Sequence, residues 1–162
     1  MIEYTIRELK TEEIPLLKEF LYEAIFQRDE KDLAPFDIIQ KPELSVYIDN
    51  FGKPDDHCLV AEVDEKIVGA VWTRILSGDV KGYGNTDNTT PEFAISLYKE
   101  FRNKGIGTKL MLNMLQLLKD KGYSQASLAV QKDNYAVKMY KSLGFEIVKE
   151  LTEEYLMICK LN

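Results

Sequence analysis

A strand-like run, a glycine-containing turn, an amphipathic helix and a second strand-like run follow one another in the second half of this chain. They occupy residues 93–98, 102–108, 105 to about 121, and 123–130. Two strands joined by a crossover helix lie parallel, and the crossover is right-handed in nearly all proteins. The chain is therefore expected to build a sheet that contains a parallel pair.

The turn has the chemistry of an anion-binding site. The first N–H groups of a helix lack intrahelical partners, and the helix dipole places partial positive charge there. Gly105 and Gly107 have no side chains, so a ligand oxygen can approach the backbone, and Arg102 and Lys104 add positive charge. The segment predicts a phosphate or pyrophosphate held mainly by main-chain groups. An ordinary strand-to-helix turn with a solvated basic residue is the alternative.

Other glycine-rich phosphate motifs fit this turn less well. A Walker loop follows G-x-x-x-x-G-K-[ST], whereas a single residue separates Gly105 from Gly107. The third glycine of the dinucleotide-binding Rossmann pattern would fall at Leu110. A dinucleotide-binding enzyme is therefore a distant alternative, in which Asp133 would supply the ribose-binding carboxylate from beyond the usual spacing.

Composition narrows the class of protein. A chain of 162 residues with 45% hydrophobic and 30% charged content is typical of one globular domain, which we place at residues 1–162. The net charge of −6 argues against a nucleic-acid partner. The sequence has no apolar run of about 18 residues and no signal peptide at its start, so we expect a cytoplasmic protein without a membrane partner. One histidine and two distant cysteines form no zinc pattern, and no metal is expected.

Hydrophobic periodicity divides the rest of the chain into elements. Thr11 is a plausible N-cap for the first helix. The order is β-α-α-β-β-β-α-β-α-β-β, which predicts an α/β fold with a mixed sheet. The remaining predicted elements are a strand at 2–9, a helix at 11–27, a loop or broken helix at 28–41, a short helix at 43–50, strands at 57–63 and 66–75, a long polar loop at 77–90, a helix at 134–143, and a strand hairpin at 145–150 and 154–161.

Two motifs carry a resemblance to a known family. Arg102-x-x-Gly105-x-Gly107 matches the Q/R-x-x-G-x-G/A signature of the GCN5-related N-acetyltransferases (GNAT). Residues 134–145 resemble the family's N-x-x-A-x-x-x-Y-x-x-x-G-F pattern, with one residue fewer between Asn134 and Ala136. The motifs occur in the right order, separated by one helix and one strand. The element order also resembles that of a GNAT domain over essentially the entire chain, most strongly from 91 to 145.

The resemblance implies a GNAT-like, mostly antiparallel sheet of about seven strands with a splayed parallel pair and about four flanking helices. It implies an acyltransferase that moves an acetyl group directly from acetyl-CoA to a primary amine of a small molecule or peptide, and a homodimer by analogy. The pantetheine arm would pair with the backbone of Ile95 and Leu97. The residues implied to hold the pyrophosphate are Arg102, Asn103, Lys104, Gly105, Ile106, Gly107 and Thr108. A non-catalytic acyl-CoA-binding module or sensor is the alternative.

The reaction requires a base for the amine and an acid for the leaving thiolate. Tyr140 stands at the family's tyrosine position and is expected to be the acid; a core tyrosine is the alternative. Asn134 is expected to bond the pantetheine or thioester side, or simply to cap a helix. Glu92 lies near the family's catalytic glutamate and is expected to be the base. Its spacing to Arg102 is one residue short, which reverses a strand face, so a solvated carboxylate or water relayed by Asp87 are alternatives.

Two residues of the strand at 66–75 bear on the acceptor. Trp72 and Arg74 share a face by the period of a strand. They either line an acceptor pocket, with Arg74 attracting a substrate carboxylate, or are a packed indole and a surface cation. The segments expected to shape the acceptor site, 28–50 and 77–90, carry no readable motif, so the sequence does not identify the amine.

Overall fold

A computed structural model describes residues 2–162, and Met1 of the expected domain lies outside the described residues. Within these residues, seven strands form one sheet in the order β1-β2-β3-β4-β5-β7-β6. Only β4 and β5 pair in parallel, and the other neighbours are antiparallel. The strands are β1 (Thr5–Glu8), β2 (His57–Val63), β3 (Lys66–Arg74), β4 (Glu92–Leu97), β5 (Gln125–Gln131), β6 (Phe145–Glu150) and β7 (Glu154–Lys160).

Helices cover both faces of the sheet. One hydrophobic core contains α1 with Trp72 of β3, and the other contains α3 and α4. The α-helices are α1 (Leu17–Ala24), α2 (Pro42–Ser45), α3 (Ile106–Asp120) and α4 (Ala136–Ser142). Short 3-10 helices span Thr11–Leu16, Phe36–Gln40 and Lys99–Phe101. No helix in the described part of the chain is long and apolar enough to cross a membrane.

This architecture confirms the predicted fold class. The parallel pair, its crossover helix α3 and the β6–β7 hairpin all occur as expected. The sequence did not predict that β7 lies between β5 and β6, because hairpin pairing alone leaves open which strand of the hairpin contacts β5.

The N-terminal region departs from the prediction. β1 begins at Thr5 rather than Ile2, and the predicted helix from Thr11 begins with a 3-10 segment. Pro15 has no N–H to donate to the carbonyl of Thr11, which removes the first α-helical bond. Lys10, not Thr11, is the N-cap, and its amide donates to the Glu13 carboxylate at 2.8 Å.

Two further helix ends also differ from the prediction. α1 ends at Ala24, before the expected end at 27. The second helix begins at Pro42 and ends at Ser45, after which turns lead to Asn50, whose φ of 54° is left-handed. Ile25, which follows α1, has an extended backbone with a ψ of 119°, so the helix cannot continue through it.

The apolar stripe of α3 fixes the position of its N-terminus. α3 packs across β2, β3 and β4. Gly122, with a φ of 91°, follows the helix and supplies the expected stop. The buried residues of the stripe are Ile106, Leu110, Met111, Met114, Leu115 and Leu118. This packing sets the first turn of α3 beyond the C-terminal end of β4, where the candidate site lies.

Candidate active site

β4 and β5 diverge along their length. Among the described residues their single registered pair is Glu92 with Ser127, and the Ser127 amide donates to the Pro91 carbonyl at 2.9 Å. On its other side, β4 pairs with β3 from Glu92 to Leu97. The parallel strands therefore open into a cleft beyond Glu92, as expected for the splayed pair.

Backbone groups of β4 face this cleft. The Tyr98 amide donates to the Val68 carbonyl at 2.9 Å, so by the alternation of an antiparallel ladder Ser96 and Tyr98 bond toward β3. Ile95 and Leu97 therefore direct their N–H and C=O groups toward β5, where no described strand residue pairs with them, although the Leu97 carbonyl accepts a hydrogen bond from Arg102. An extended ligand that carries amide groups can add to such an edge as a further strand.

The N-terminus of α3 borders the cleft. Gly105 is the N-cap and has a φ of 86°, and Asn103 before it has a φ of 60°. No side chain caps the helix, and its first turn has no acidic residue. A Cβ at Gly105 would meet no atom within 4 Å, so the approach to the backbone is open. The N–H groups of Ile106, Gly107 and Thr108 therefore lie at an open helix end that has no side-chain cap, which is the geometry that suits an anion.

The basic residues around this turn differ in what they contact. Arg102 donates from Nε to the Leu97 carbonyl and from Nη2 to the Glu23 carboxylate, both at 3.0 Å. Its guanidinium thereby joins the end of β4 to α1. Lys104 is exposed and borders a groove of about 360 Å³ with Ile2, Tyr4 and Ile106. Lys104 is therefore the side chain of the turn that remains available to a phosphate.

Asn134 lies at the start of α4, on the β5 side of the cleft. Its Oδ1 accepts the amide of Ala136, the first residue of α4, at 2.9 Å, from the position before the N-cap Tyr135. Its Nδ2 has no hydrogen-bond partner in residues 2–162. The side chain therefore fixes the turn that enters α4 and keeps one donor group free.

Tyr140 of α4 lies on the α3 side of the sheet. Its ring packs edge-on against Phe145 with centroids 6.0 Å apart. The side chain is buried, and its hydroxyl makes no hydrogen bond to any residue the structure describes. Burial raises the pKa of Tyr140 above its usual value. The phenol therefore stays protonated at neutral pH, and no described residue accepts a hydrogen bond from it.

Glu92 lies on the opposite face, at the closed end of the cleft. Its side chain is 3% exposed, so the alternative of a solvated carboxylate is wrong. Burial raises the pKa of Glu92 to about 7, against the opposing effects of a hydrogen bond from the Tyr47 hydroxyl and of the Gly84 amide, while Glu154 raises it further. Oε1 is buried and has no hydrogen-bond partner in the described chain. A carboxyl group that titrates near neutral pH is suited to accept a proton.

The other candidates for roles in the reaction are engaged elsewhere. Asp87 is exposed, and its Oδ1 accepts the amides of Thr89 and Thr90 at 2.9 and 2.8 Å. These bonds lower the pKa of Asp87, which makes it a weaker base.

Arg74 is buried and paired with Asp56 at 3.0 Å, so the idea that it attracts a substrate carboxylate is wrong. Trp72 is fully buried, and its indole N–H donates to the Tyr47 carbonyl at 3.0 Å. The side chains of Arg74 and Trp72 are therefore both bonded within the protein and are not available to a substrate.

Tyr47, which contacts Trp72 and Glu92, is a site residue that the sequence did not reveal. It belongs to no motif and lies 45 positions from Glu92.

Comparison with known proteins assigns the chain to a family. The model described as "Acetyltransferase (GNAT) family" matches residues 20–145. The chain belongs to the GNAT acetyltransferase family. Both signature motifs of this GNAT chain lie within the matched residues. In the part of the chain that the structure describes, no group of three or more His, Cys, Asp or Glu side chains is arranged to hold a metal ion.

The relatives include acetyltransferases of different names. An N-alpha-acetyltransferase of Sulfolobus acidocaldarius is 32% identical over 100 residues, which are 59% of this chain and 60% of that protein. A mycothiol acetyltransferase of Corynebacterium aurimucosum is 31% identical over 85 residues, 52% of this chain and 26% of that protein. The matches thus span little more than half, or much less, of these relatives.

One solved structure has the same fold over nearly its full length. The PaiA N-acetyltransferase from Thermoplasma acidophilum, in complex with coenzyme A, superposes with a TM-score of 0.69 at 21% sequence identity, covering 98% of this chain and 99% of that one. At this identity the likeness concerns the fold.

Proposed function

We propose that this GNAT chain transfers an acetyl group directly from acetyl-CoA to a primary amine of a small molecule or peptide. The observation that carries the proposal is the splayed pair β4 and β5 beside the uncapped N-terminus of α3. A cleft lined by unpaired backbone amides accepts an extended arm that carries amide groups. The free N–H groups at its mouth donate hydrogen bonds to the pyrophosphate at the end of that arm.

The binding contacts follow from which groups are free. The N–H groups of the first turn of α3, with Lys104, hold the pyrophosphate. The backbone of Ile95 and Leu97 pairs with the pantetheine amides, and Asn134 donates from Nδ2 across the cleft. When bound, acetyl-CoA supplies an activated thioester carbonyl. Arg102 contributes to binding indirectly, because its hydrogen bonds hold the end of β4 against α1.

The protein's own side chains move the protons. Glu92 accepts the proton that the amine loses, since its pKa of about 7 leaves about half of it ionised at neutral pH. Gly82 and Gly84 cover this carboxyl group, so the segment that contains them must move aside before an amine can reach it. Tyr140 donates its proton to the departing thiolate. The Leu97 amide faces the cleft and stabilises negative charge on the carbonyl oxygen.

Charge around the site favours an acceptor that arrives as a cation. Glu154 of β7 raises the pKa of Glu92 and has no ion-pair partner in the described residues. A protonated amine therefore meets carboxyl groups without a compensating cation. The relatives include proteins named N-alpha-acetyltransferase and mycothiol acetyltransferase. We therefore keep both peptides and small molecules as acceptor classes in the proposal. The homodimer and the cytoplasmic location stay predictions.

The test is an amine panel with acetyl-CoA, in which release of the coenzyme A thiol is measured. The panel contains monoamines, diamines, amino acids and short peptides with a free N-terminus, each paired with its N-acetylated form as a control. We expect thiol release that depends on the free amine. Saturable binding of acetyl-CoA without thiol release for any amine would instead support the non-catalytic binding module.

A further inference from the structure

Tyr47 is held in place both by its backbone carbonyl and by its ring hydroxyl. It follows α2, is 8% exposed, and packs in the core on the α1 side of the sheet. Its carbonyl accepts the indole N–H of Trp72 at 3.0 Å. The backbone of Tyr47 is thereby fixed to β3, which pairs with β4, the strand that carries Glu92. The ring therefore reaches Glu92 from a rigid support.

The hydroxyl of Tyr47 makes two hydrogen bonds of known direction. The Tyr83 amide donates to the hydroxyl oxygen at 2.8 Å. A phenol has one hydrogen, and the backbone amide can only donate, so the phenol hydrogen is left for the Glu92 Oε2 atom that it contacts. A donor aimed at a carboxylate oxygen favours the ionised form of the acid. The direction of these bonds thus makes Tyr47 a dedicated donor to Glu92.

The same hydroxyl joins Glu92 to the loop between β3 and β4. A Cβ at Gly82 would overlap the Glu92 carboxyl group, and one at Gly84 would lie 2.9 Å from the carbonyl carbon of Leu128. The Ser127 hydroxyl donates to the Gly84 carbonyl at 2.7 Å. The loop therefore lies directly on the carboxyl group, and Tyr47 is fixed between the two.

The two oxygens of Glu92 consequently differ. Oε2 accepts from Tyr47, whereas Oε1 is buried without a partner. The charged groups near it are few. Glu154 approaches from β7, and Arg74, its cross-strand neighbour on β3, is paired with Asp56. Since no described residue gives the Glu92 carboxylate a cationic partner, the hydrogen bond from Tyr47 is the main side-chain contact that stabilises it.

We propose that Tyr47 is the positioning residue of the general base. It holds Oε2 of Glu92 so that Oε1 remains the free, proton-accepting oxygen. This inference rests on the proposed role of Glu92 in acetyl transfer. Tyr47 itself touches no substrate, and it acts through the orientation and the proton affinity of the carboxyl group.

The test compares Tyr47→Phe with the wild type in the pH profile of kcat/KM, with an acceptor whose amine pKa is known. Without the phenol donor the ionised carboxylate loses a hydrogen bond, so the pKa of Glu92 rises. The limb assigned to Glu92 should move to higher pH by about one unit. Tyr22→Phe is the matched control. It also removes a partly buried tyrosine hydroxyl, which donates to the Ala34 carbonyl at 2.5 Å and does not contact Glu92. Its limb should stay in place.

A second measurement follows Glu92 without an acceptor. Nuclear magnetic resonance of 13C-labelled glutamate side chains, with the Glu92 signal assigned by its loss in Glu92→Gln, reports the titration directly. Difluorotyrosine placed at position 47 is a stronger donor and should move the Glu92 titration to lower pH, opposite to Tyr47→Phe. This second variant keeps the ring hydroxyl and so protects the test if Tyr47→Phe fails to fold.

The outcomes separate the two proposals. If Glu92→Gln keeps full turnover, Glu92 is not the base and the proposed mechanism fails. If Glu92→Gln loses turnover while the Glu92 titration is the same in wild type, Tyr47→Phe and the difluorotyrosine protein, the base stands and the role of Tyr47 is overturned. Opposite shifts in the two Tyr47 variants are the result we expect.

Discussion

Glu92 and Ser127 form the single registered pair between β4 and β5 in the described chain. The backbone amides of Ile95 and Leu97, further along β4, consequently have no partner strand. We expect both amides to exchange hydrogen with solvent rapidly in the free protein. Saturating coenzyme A should slow their exchange by about tenfold or more, because each gains a hydrogen bond. Residue-resolved hydrogen exchange measures this effect.

The Ser96 amide is the internal control for that experiment. It lies between the two cleft-facing residues but bonds toward β3, where Ser96 pairs with Ala70. Its exchange should change less than that of its neighbours. Equal protection of all three amides would indicate general stabilisation of β4 and would contradict pairing of the ligand with one edge.

Gly105 and Gly122 offer a matched pair of variants at opposite ends of α3. Both have left-handed backbones, with φ of 86° and 91°, and a Cβ at either would meet no atom within 4 Å. Replacing either by Glu should strain the backbone by about 1–2 kcal/mol. Only Gly105→Glu places a carboxylate where the pyrophosphate is expected to bind. We expect the Kd for coenzyme A to rise about tenfold or more in Gly105→Glu alone.

Titration calorimetry and thermal unfolding separate binding from strain for these variants. Similar losses of stability with an unequal loss of affinity support the assignment of the first turn of α3. Unchanged affinity in Gly105→Glu would show that the pyrophosphate binds elsewhere.

Tyr140→Phe removes a hydroxyl that makes no hydrogen bond within the described residues. Stability should therefore change little. If the phenol protonates the thiolate, kcat should fall by about 100-fold, while the affinity for coenzyme A stays near that of the wild type. Steady-state kinetics and calorimetry measure the two quantities. Tyr135→Phe, at an exposed position beside the same helix, is the control, and equal turnover in both variants would remove Tyr140 from the mechanism.

The sequence predicts the fold and the position of the N-terminus of α3, because those parts depend on local pattern. The apolar stripe of α3 and Gly105 before it determine where the helix starts and what it faces. The divergence of β4 and β5 was expected from the family resemblance alone, because the side chains of Ile95 and Leu97 do not indicate that their backbone amides are unpaired. Asn134 bonds through Oδ1 to the Ala136 amide at the start of α4, whereas its contact with the coenzyme stays a prediction.

The rest of the site depends on contacts between distant segments. The spacing from Glu92 to Arg102 did not determine on which face of β4 the Glu92 side chain lies. Its carboxyl group is buried by the loop that contains Gly82 and by Tyr47, and neither belongs to a motif. Arg74 gave the opposite error. A basic residue near the end of a strand resembles a surface cation, but Asp56 pairs with it in the interior. Sequence spacing does not reveal either partner.

The titration of Glu92 should make the stability of the protein depend on pH. The pKa of Glu92 is raised from 4.5 to about 7 in the folded state. Between these values the folded protein binds a proton that the unfolded chain has released, so folding is favoured at low pH and loses this contribution as the pH rises. The full change is about 3 kcal/mol.

Glu92→Gln removes this titration while keeping a side chain of similar size. We therefore expect the difference in unfolding free energy between Glu92→Gln and the wild type to shift in favour of the variant as the pH rises from 5 to 8. Urea unfolding across that range measures it. Taking the difference cancels groups such as Glu13, whose pKa is lowered to about 2 by its bonds to Arg7 and which contributes in the opposite sense at acid pH. A difference that stays constant with pH would mean that Glu92 is ionised throughout and titrates in its ordinary range.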